Sequence, residues 1–185
     1  QNLQHWDVSN VTDMSFMFSG ASLFNQPLNM WDVSQVTNMN QMFAFSQFNQ
    51  PIDNWDVSNV TNMLGMFFIA SSFNQPLNNW DVSNVNDMVG MFNRASNFDQ
   101  PLSNWDVSNV VNMRFMFFDA SSFDRSLNNW DVSNVTDMSS MFNTATNFDQ
   151  DLSGWNFNQN IEFSGFLNNS GLSIANYDLL LQTFD

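Results

Sequence analysis

The residues best placed to do chemistry are aspartates in a column. Asp7, Asp32, Asp56, Asp81, Asp106 and Asp131 each stand in the word Trp-Asp-Val-Ser, two positions before Ser9, Ser34, Ser58, Ser83, Ser108 and Ser133. Carboxylates repeated at one interval are hard oxygen ligands, so they could hold calcium; paired, they could act as acid and base in glycoside hydrolysis. The second chemistry needs two carboxyl groups in different environments, and identical words provide none. The single histidine, His5, has no distinctive nucleophile to activate among the many repeated serines. Cysteine is absent, which removes disulfides and thiolate sites. The expectation is a chain that is not an enzyme and has no cofactor, with calcium on the aspartates as the alternative.

If the aspartates stack one repeat apart, neighbours about 5 Å apart repel by roughly 1 kcal/mol in bulk water and roughly 3 at an effective dielectric of 20. Water, hydrogen bonds from Ser, Asn or backbone N–H groups, bound calcium, or raised carboxyl pKa values could each offset this. No Asp-x-Asp-x-Asp-Gly loop is present, which favours hydrated, hydrogen-bonded carboxylates.

The elements that must position these residues are set by a repeat. Tryptophan occurs only at 6, 31, 55, 80, 105, 130 and 155, a spacing of 25 residues with one step of 24. The missing residue falls in the stretch that begins at Met42, one residue shorter than its counterpart from Met17. Leu28, Trp31, Val33 and Val36 follow the Leu-x-x-Leu-x-Leu pattern of a short strand with one apolar side. Met14, Met17, Phe18 and Ala21 then stand at helical spacing, with Thr12 or Asn10 as N-cap, before an Asn-Gln-Pro turn at 25–27. A single repeat cannot bury its Trp, Val, Met and Phe, so neighbours must stack.

The predicted architecture is an α/β repeat. It is a right-handed, leucine-rich-repeat-like solenoid with coils of about 25 residues, each a short parallel strand plus a short helix. The solenoid occupies 1–156 and is expected to continue upstream; 157–185 form a degenerate last coil and a cap helix that starts after Ser173. The two methionine columns and the Phe18, Phe43, Phe67, Phe92, Phe117 and Phe142 column read as core rather than as metal or haem ligands. Inward Trp31 and Val33 put Asp32 and Ser34 outward, so the Asp column with Ser34, Ser58, Ser83 and Ser108 is a candidate concave binding face or cation ladder. The amides Asn10, Gln35, Asn59, Asn84, Asn109 and Asn134 are assigned to structure.

Positions that differ between repeats are not dictated by the scaffold. On the outer side these include Phe16, Leu64, Phe68, Ile69, Phe115 and Phe118, which predict a convex apolar contact patch.

Composition narrows the partners. Formal net charge is −15, and the only cations are Arg94, Arg114 and Arg125, so nucleic acid is not an expected partner. The longest apolar run, Met63 to Ala70, is interrupted by Gly65 and too short for a membrane span. Ice binding is disfavoured because the strands carry charge and lack a Thr-x-Thr array. Asn10, Asn59, Asn134 and Asn168 begin glycosylation sequons.

The stretch from Phe73 to Phe98, FNQPLNNWDVSNVNDMVGMFNRASNF, closely resembles the BspA-like leucine-rich repeats of bacterial surface proteins, also called the DUF285 repeat. The resemblance runs from about Asn2 to Trp155, and the tail SGLSIANYDLLLQTF resembles segments that close such arrays. It implies a secreted or surface-attached bacterial protein that adheres to a host, matrix or polysaccharide partner. The alternative is a structural spacer that associates with itself through its N-terminal edge or convex face.

Overall fold

The computed structural model describes residues 3–184. Its repeats lie side by side in register, and the contact is made by single parallel bridges that run Asp13, Asn38, Asn62, Asp87, Asn112, Asp137, Glu162. No longer strand forms among the described residues, because the backbone turns away on either side of each bridge.

The stretch expected to be helical is not a helix. The N–H groups of Met14, Phe16, Phe18 and Gly20 leave their own repeat and donate to the carbonyls of Asn38, Asn40, Met42 and Ala44 at 2.8–2.9 Å. Between them, Met17, Ser19 and Ala21 donate to carbonyls three residues back, at 3.0–3.2 Å. The chain is thus a run of linked β-turns, and alternate donors hold the next repeat. Two positions per repeat adopt the left-handed backbone, represented by Phe16 (φ 58°) and Gly20 (φ 72°) in the first. A helix tolerates neither. Thr12 and Asn10 therefore cap nothing; their counterparts Thr37, Thr61 and Asn59 donate to carbonyls of the preceding repeat.

The inward face is nevertheless the one the spacing marks, except that in the first repeat, where Met14 and Phe18 are buried, Met17 is 38% exposed and Ala21 half-buried, since no repeat among the described residues covers them on that side. Met63, Met66, Phe67 and Ala70 are fully buried, as are their counterparts in the next three repeats. The Phe column stacks with ring centres 5.5–5.8 Å apart from Phe18 to Phe142. A second column through Phe48, Phe73, Phe98, Phe123 and Phe148 lies about 4 Å from the first within each repeat. Each buried indole has one polar atom to satisfy. Trp55, Trp80, Trp105, Trp130 and Trp155 donate it to a carbonyl of the preceding repeat at 2.7–3.1 Å.

The Asn-Gln words make a further ladder. Asn25, Asn49 and Asn74 each accept the backbone N–H of the next member of the column at 2.8–3.0 Å. Asp99 and Asp124 continue it. Gln50, Gln75, Gln100 and Gln150 add their side-chain amides to the same oxygens. Where Asp99 replaces an amide, Arg125 replaces the glutamine and binds both carboxylate oxygens, at 3.0 and 2.6 Å.

The short repeat is closed by a side chain. In sister repeats the N–H of Phe73 or Phe98 donates to the carbonyl of Ala70 or Ala95. With one residue fewer, Phe48 donates instead to Ser46 Oγ (3.3 Å), whose hydroxyl donates to Phe43 O (2.7 Å); Ser46 is fully buried.

Helix α1, Ile174–Leu181, follows the last repeat and has Ser173 as its N-cap. Asp149 joins it to the stack by accepting Ser173 N–H and Asn176 Nδ2, both at 2.8 Å. Leu180 is buried and Phe184 stacks on Phe157, whereas Ile174, Tyr177 and Leu181 face outward. Among the described residues no helix is long and apolar enough to cross a membrane.

Candidate functional site

The aspartate column lies on an exposed side of the stack, and its hydrogen bonds are local. Asp7, Asp32, Asp56, Asp81 and Asp106 each accept through Oδ1 from the hydroxyl (2.6–2.7 Å) and the backbone N–H (3.0–3.1 Å) of the serine two residues on. Asp131 takes the N–H of Ser133 at 3.0 Å. The serines Ser34, Ser58, Ser83 and Ser108 are half-buried and point at their own aspartate.

These donors act on the charge. The serine hydroxyls, and then the serine N–H groups, hold the carboxyls of Asp7, Asp32, Asp106 and Asp131 below the ordinary value. The neighbouring Asp7 opposes this at Asp32, as Asp131 does at Asp106, and both lose to the hydrogen bonds. Raised carboxyl pKa values are therefore not how these four tolerate one another. The described residues contain no cluster of three or more His, Cys, Asp or Glu that could hold a metal ion. Between Asp81 and Asp106 there is a shallow hollow of about 360 Å³, lined by Asn78, Asn79 and Asn104.

Depressed carboxyls link stability to pH. Asp13 and Asp149 are held low in the same way, the first chiefly by Ser15 and the second chiefly by Ser173 N–H. Each such group stabilises the fold fully above its unfolded value near 3.8 and loses that contribution as pH falls through its lower folded value. Thermal unfolding is expected to occur at lower temperature as pH drops below about 4, against the relief of self-repulsion in an anionic chain. The Ser34→Ala/Ser108→Ala variant isolates the effect, because it removes two hydroxyl donors. Its acid loss should be shallower than the parent's; an unchanged slope would disconnect the serines from the acid response.

The amide column is structural. Asn59, Asn84, Asn109 and Asn134 donate their side-chain N–H to Ser34, Ser58, Ser83 and Ser108 carbonyls at 2.7–2.8 Å. The sequon nitrogens of Asn59 and Asn134 are thus already engaged between repeats.

The turn side carries the residues that differ from repeat to repeat. Leu64, Phe68 and Phe115 line a groove of about 190 Å³ together with Gln41, Val89, Asn93 and the glycines Gly65 and Gly90. A second hollow of about 150 Å³ continues past Phe68 and Phe115 to Arg94 and Phe118. Ile69 is half-buried and lines neither; Phe16, 52% exposed, shares the backbone column of Phe115 but is separated from it by Gln41, Gly65 and Gly90. The structure therefore brings together four of the six predicted apolar residues: Leu64, Phe68, Phe115 and Phe118.

Sequence reasoning set glycine and Arg114 among the outward positions but gave them no part in this place. The Arg114 guanidinium lies 4.6 Å from the Phe115 ring centre, and that of Arg94 lies 5.8 Å from the Phe118 ring. Phe45, half-exposed, meets Phe68 edge-on at 5.0 Å. The glycines in the middle of an apparently helical stretch were the available signal for a bare groove floor.

No curated protein and no solved structure matches the chain. A family model described as "Mycoplasma protein of unknown function, DUF285" matches residues 1–95 and again 72–177. The two overlapping matches take in every repeat, and the chain belongs to that family.

Proposed function

We propose that the chain is a non-catalytic recognition or adhesion module of the BspA-like type, a right-handed leucine-rich-repeat-like solenoid that acts outside a bacterial cell, secreted or attached to its surface. Its partner is a surface protein or a polysaccharide, and it needs neither cofactor nor nucleic acid. One observation carries the reading. The repeated Asp, Ser and Asn side chains are spent on hydrogen bonds within the stack, whereas the residues free to differ gather around two adjoining hollows on the turn side. A scaffold that spends its repeated groups internally and varies one apolar face is built to present that face.

A second reading is a structural or self-assembling spacer. It draws on apolar side chains exposed near both ends of the stack, Trp6 at 53% and Leu23 at 95% near one and Ile174 at 81% near the other.

The test is capture on immobilised glycans and matrix proteins, with sedimentation of the same sample. The Phe68→Ser/Phe118→Ser variant is expected to unfold cooperatively and to lose capture. Capture retained at parental strength would remove the turn face; sedimentation of the parent as a growing assembly, without capture, would favour the spacer.

A further inference from the structure

We propose that the groove over Gly65 and Gly90 takes one apolar side chain carried beside a carboxylate, on a short acidic peptide segment of a partner protein. This deepens the recognition reading above and rests on it.

The shape comes from the backbone. The left-handed column carries Gln41 before the groove and Phe115 after it, with glycine at 65 and 90 between them; the Gln41 side chain leans over Gly65, its Cγ 3.0 Å from where a Cβ would stand, so the floor is open over Gly90. Leu64 and Val89 line the groove with Phe68, so a volume of about 190 Å³ suits a single ring or branched aliphatic group. Phe115 closes the end at φ 57°, the left-handed conformation that Phe16, Gln41 and Ser140 also hold in this column.

The charge comes from the cations. Arg125 is committed to Asp99 within the stack. Of the other two, in a chain of net charge −15, Arg94 lines the adjoining hollow and Arg114 lies over the Phe115 ring that closes the groove. Arg94 lies 3.6 Å from Asp119, while Arg114 has no ion pair among the described residues and rests on the Phe115 ring. A guanidinium parked on an aromatic face keeps its donors fixed and ready for a carboxylate. The surrounding negative charge repels long acidic tails, and local attraction fades over about 8 Å at physiological salt. One or two carboxylates beside an apolar anchor fit both conditions.

The experiment is a methyl-resolved NMR titration of the full chain, with Leu64 and Val89 as reporters. The probes are blocked Gly-Asp-Phe-Asp-Gly, its Gly-Lys-Phe-Lys-Gly counterpart and Gly-Asp-Ala-Asp-Gly. The Asp-Phe-Asp peptide is expected to shift both reporters saturably, with a Kd of order 1 mM, and about ten-fold more tightly than either control. Arg114→Gln is expected to erase the preference for Asp over Lys while the reporters keep their positions in the free spectrum. Equal binding of the Lys peptide, shifts confined to other methyls, or no shift would each overturn the proposal. Loss of capture by Phe68→Ser/Phe118→Ser in the experiment above would still stand in those cases, so failure of the ligand class and failure of the recognition reading are distinguishable.

Discussion

Phe92→Ala is expected to destabilise the protein by about 3–5 kcal/mol, the range for truncating a fully buried ring. Phe92 has no exposed surface and touches four aromatic neighbours: Phe98 at 4.0 Å, Phe117 at 5.5 Å, Phe67 at 5.7 Å and Trp105 at 6.2 Å between ring centres. The cavity would open at the middle of the stack, where side chains on both sides are held by their own columns and have little room to collapse. Urea unfolding measures the loss, and Phe24→Ala provides the scale. Phe24 is half-buried in the first repeat, so its truncation should cost less than half as much. A loss below about 1 kcal/mol at Phe92 would mean that the aromatic columns are not what holds the repeats together.

Ser46→Ala is expected to cost about 1–3 kcal/mol through a different mechanism, a buried donor left without an acceptor. The Ser46 hydroxyl oxygen receives the Phe48 N–H that would otherwise go to a carbonyl, as it does from Phe73 to Ala70. Alanine removes that oxygen without restoring the missing residue. Replacing Ser46-Gln47 by Ala-Ser-Ser, the sequence of the sister repeats around Ala70 and Ala120, should recover the loss because it rebuilds the ordinary turn. Thermal unfolding of parent, Ser46→Ala and the lengthened chain distinguishes the cases. If the lengthened chain is no more stable than Ser46→Ala, the hydroxyl is not what closes the short repeat.

Much of this was legible in the sequence, and its limits have physical causes. The tryptophan spacing located every repeat and the one-residue deletion, because a stacked indole has no freedom to shift register. The spacing read at Met14, Met17, Phe18 and Ala21 marked the buried side chains of the inner repeats, such as Met63, Met66, Phe67 and Ala70, although Met17 itself is exposed in the first repeat, and the same spacing gave the wrong backbone. Linked turns and a helix place residues i, i+3 and i+4 on the same side; only the destination of the N–H groups separates them. Gly65 and Gly90 were the visible discriminator, since glycine in mid-helix is costly while the left-handed corner of a turn favours it. Asn10 and its column were assigned to structure, and the amides do bridge repeats. The column through Asn49 and Asn74 was read only as part of a turn, because a ladder between repeats appears only once positions 25 residues apart are set side by side.

The candidate site was less legible. Phe68, Phe115 and Phe118 stood out as apolar residues at outward positions, but the ordinary signal for a site, a distinctive residue, was spread over glycine and arginine. Gly65 matters for what it lacks. Arg114 matters because its ring partner, Phe115, is the adjacent residue held in a left-handed conformation that turns the two side chains together.

The way the repeats are joined also fixes how the protein responds to force. Turn N–H groups, indoles and amides all cross each junction side by side, so they share a load applied along the stack, while the junctions themselves carry it in series. The force needed to begin extension is then that of the weakest junction and does not grow with the number of repeats. Each junction that yields releases a repeat of 25 residues, about 80–90 Å of chain at full extension. A stack of this kind pulled from its two ends lengthens in steps and dissipates work at each one, keeping the tension along it near a constant ceiling.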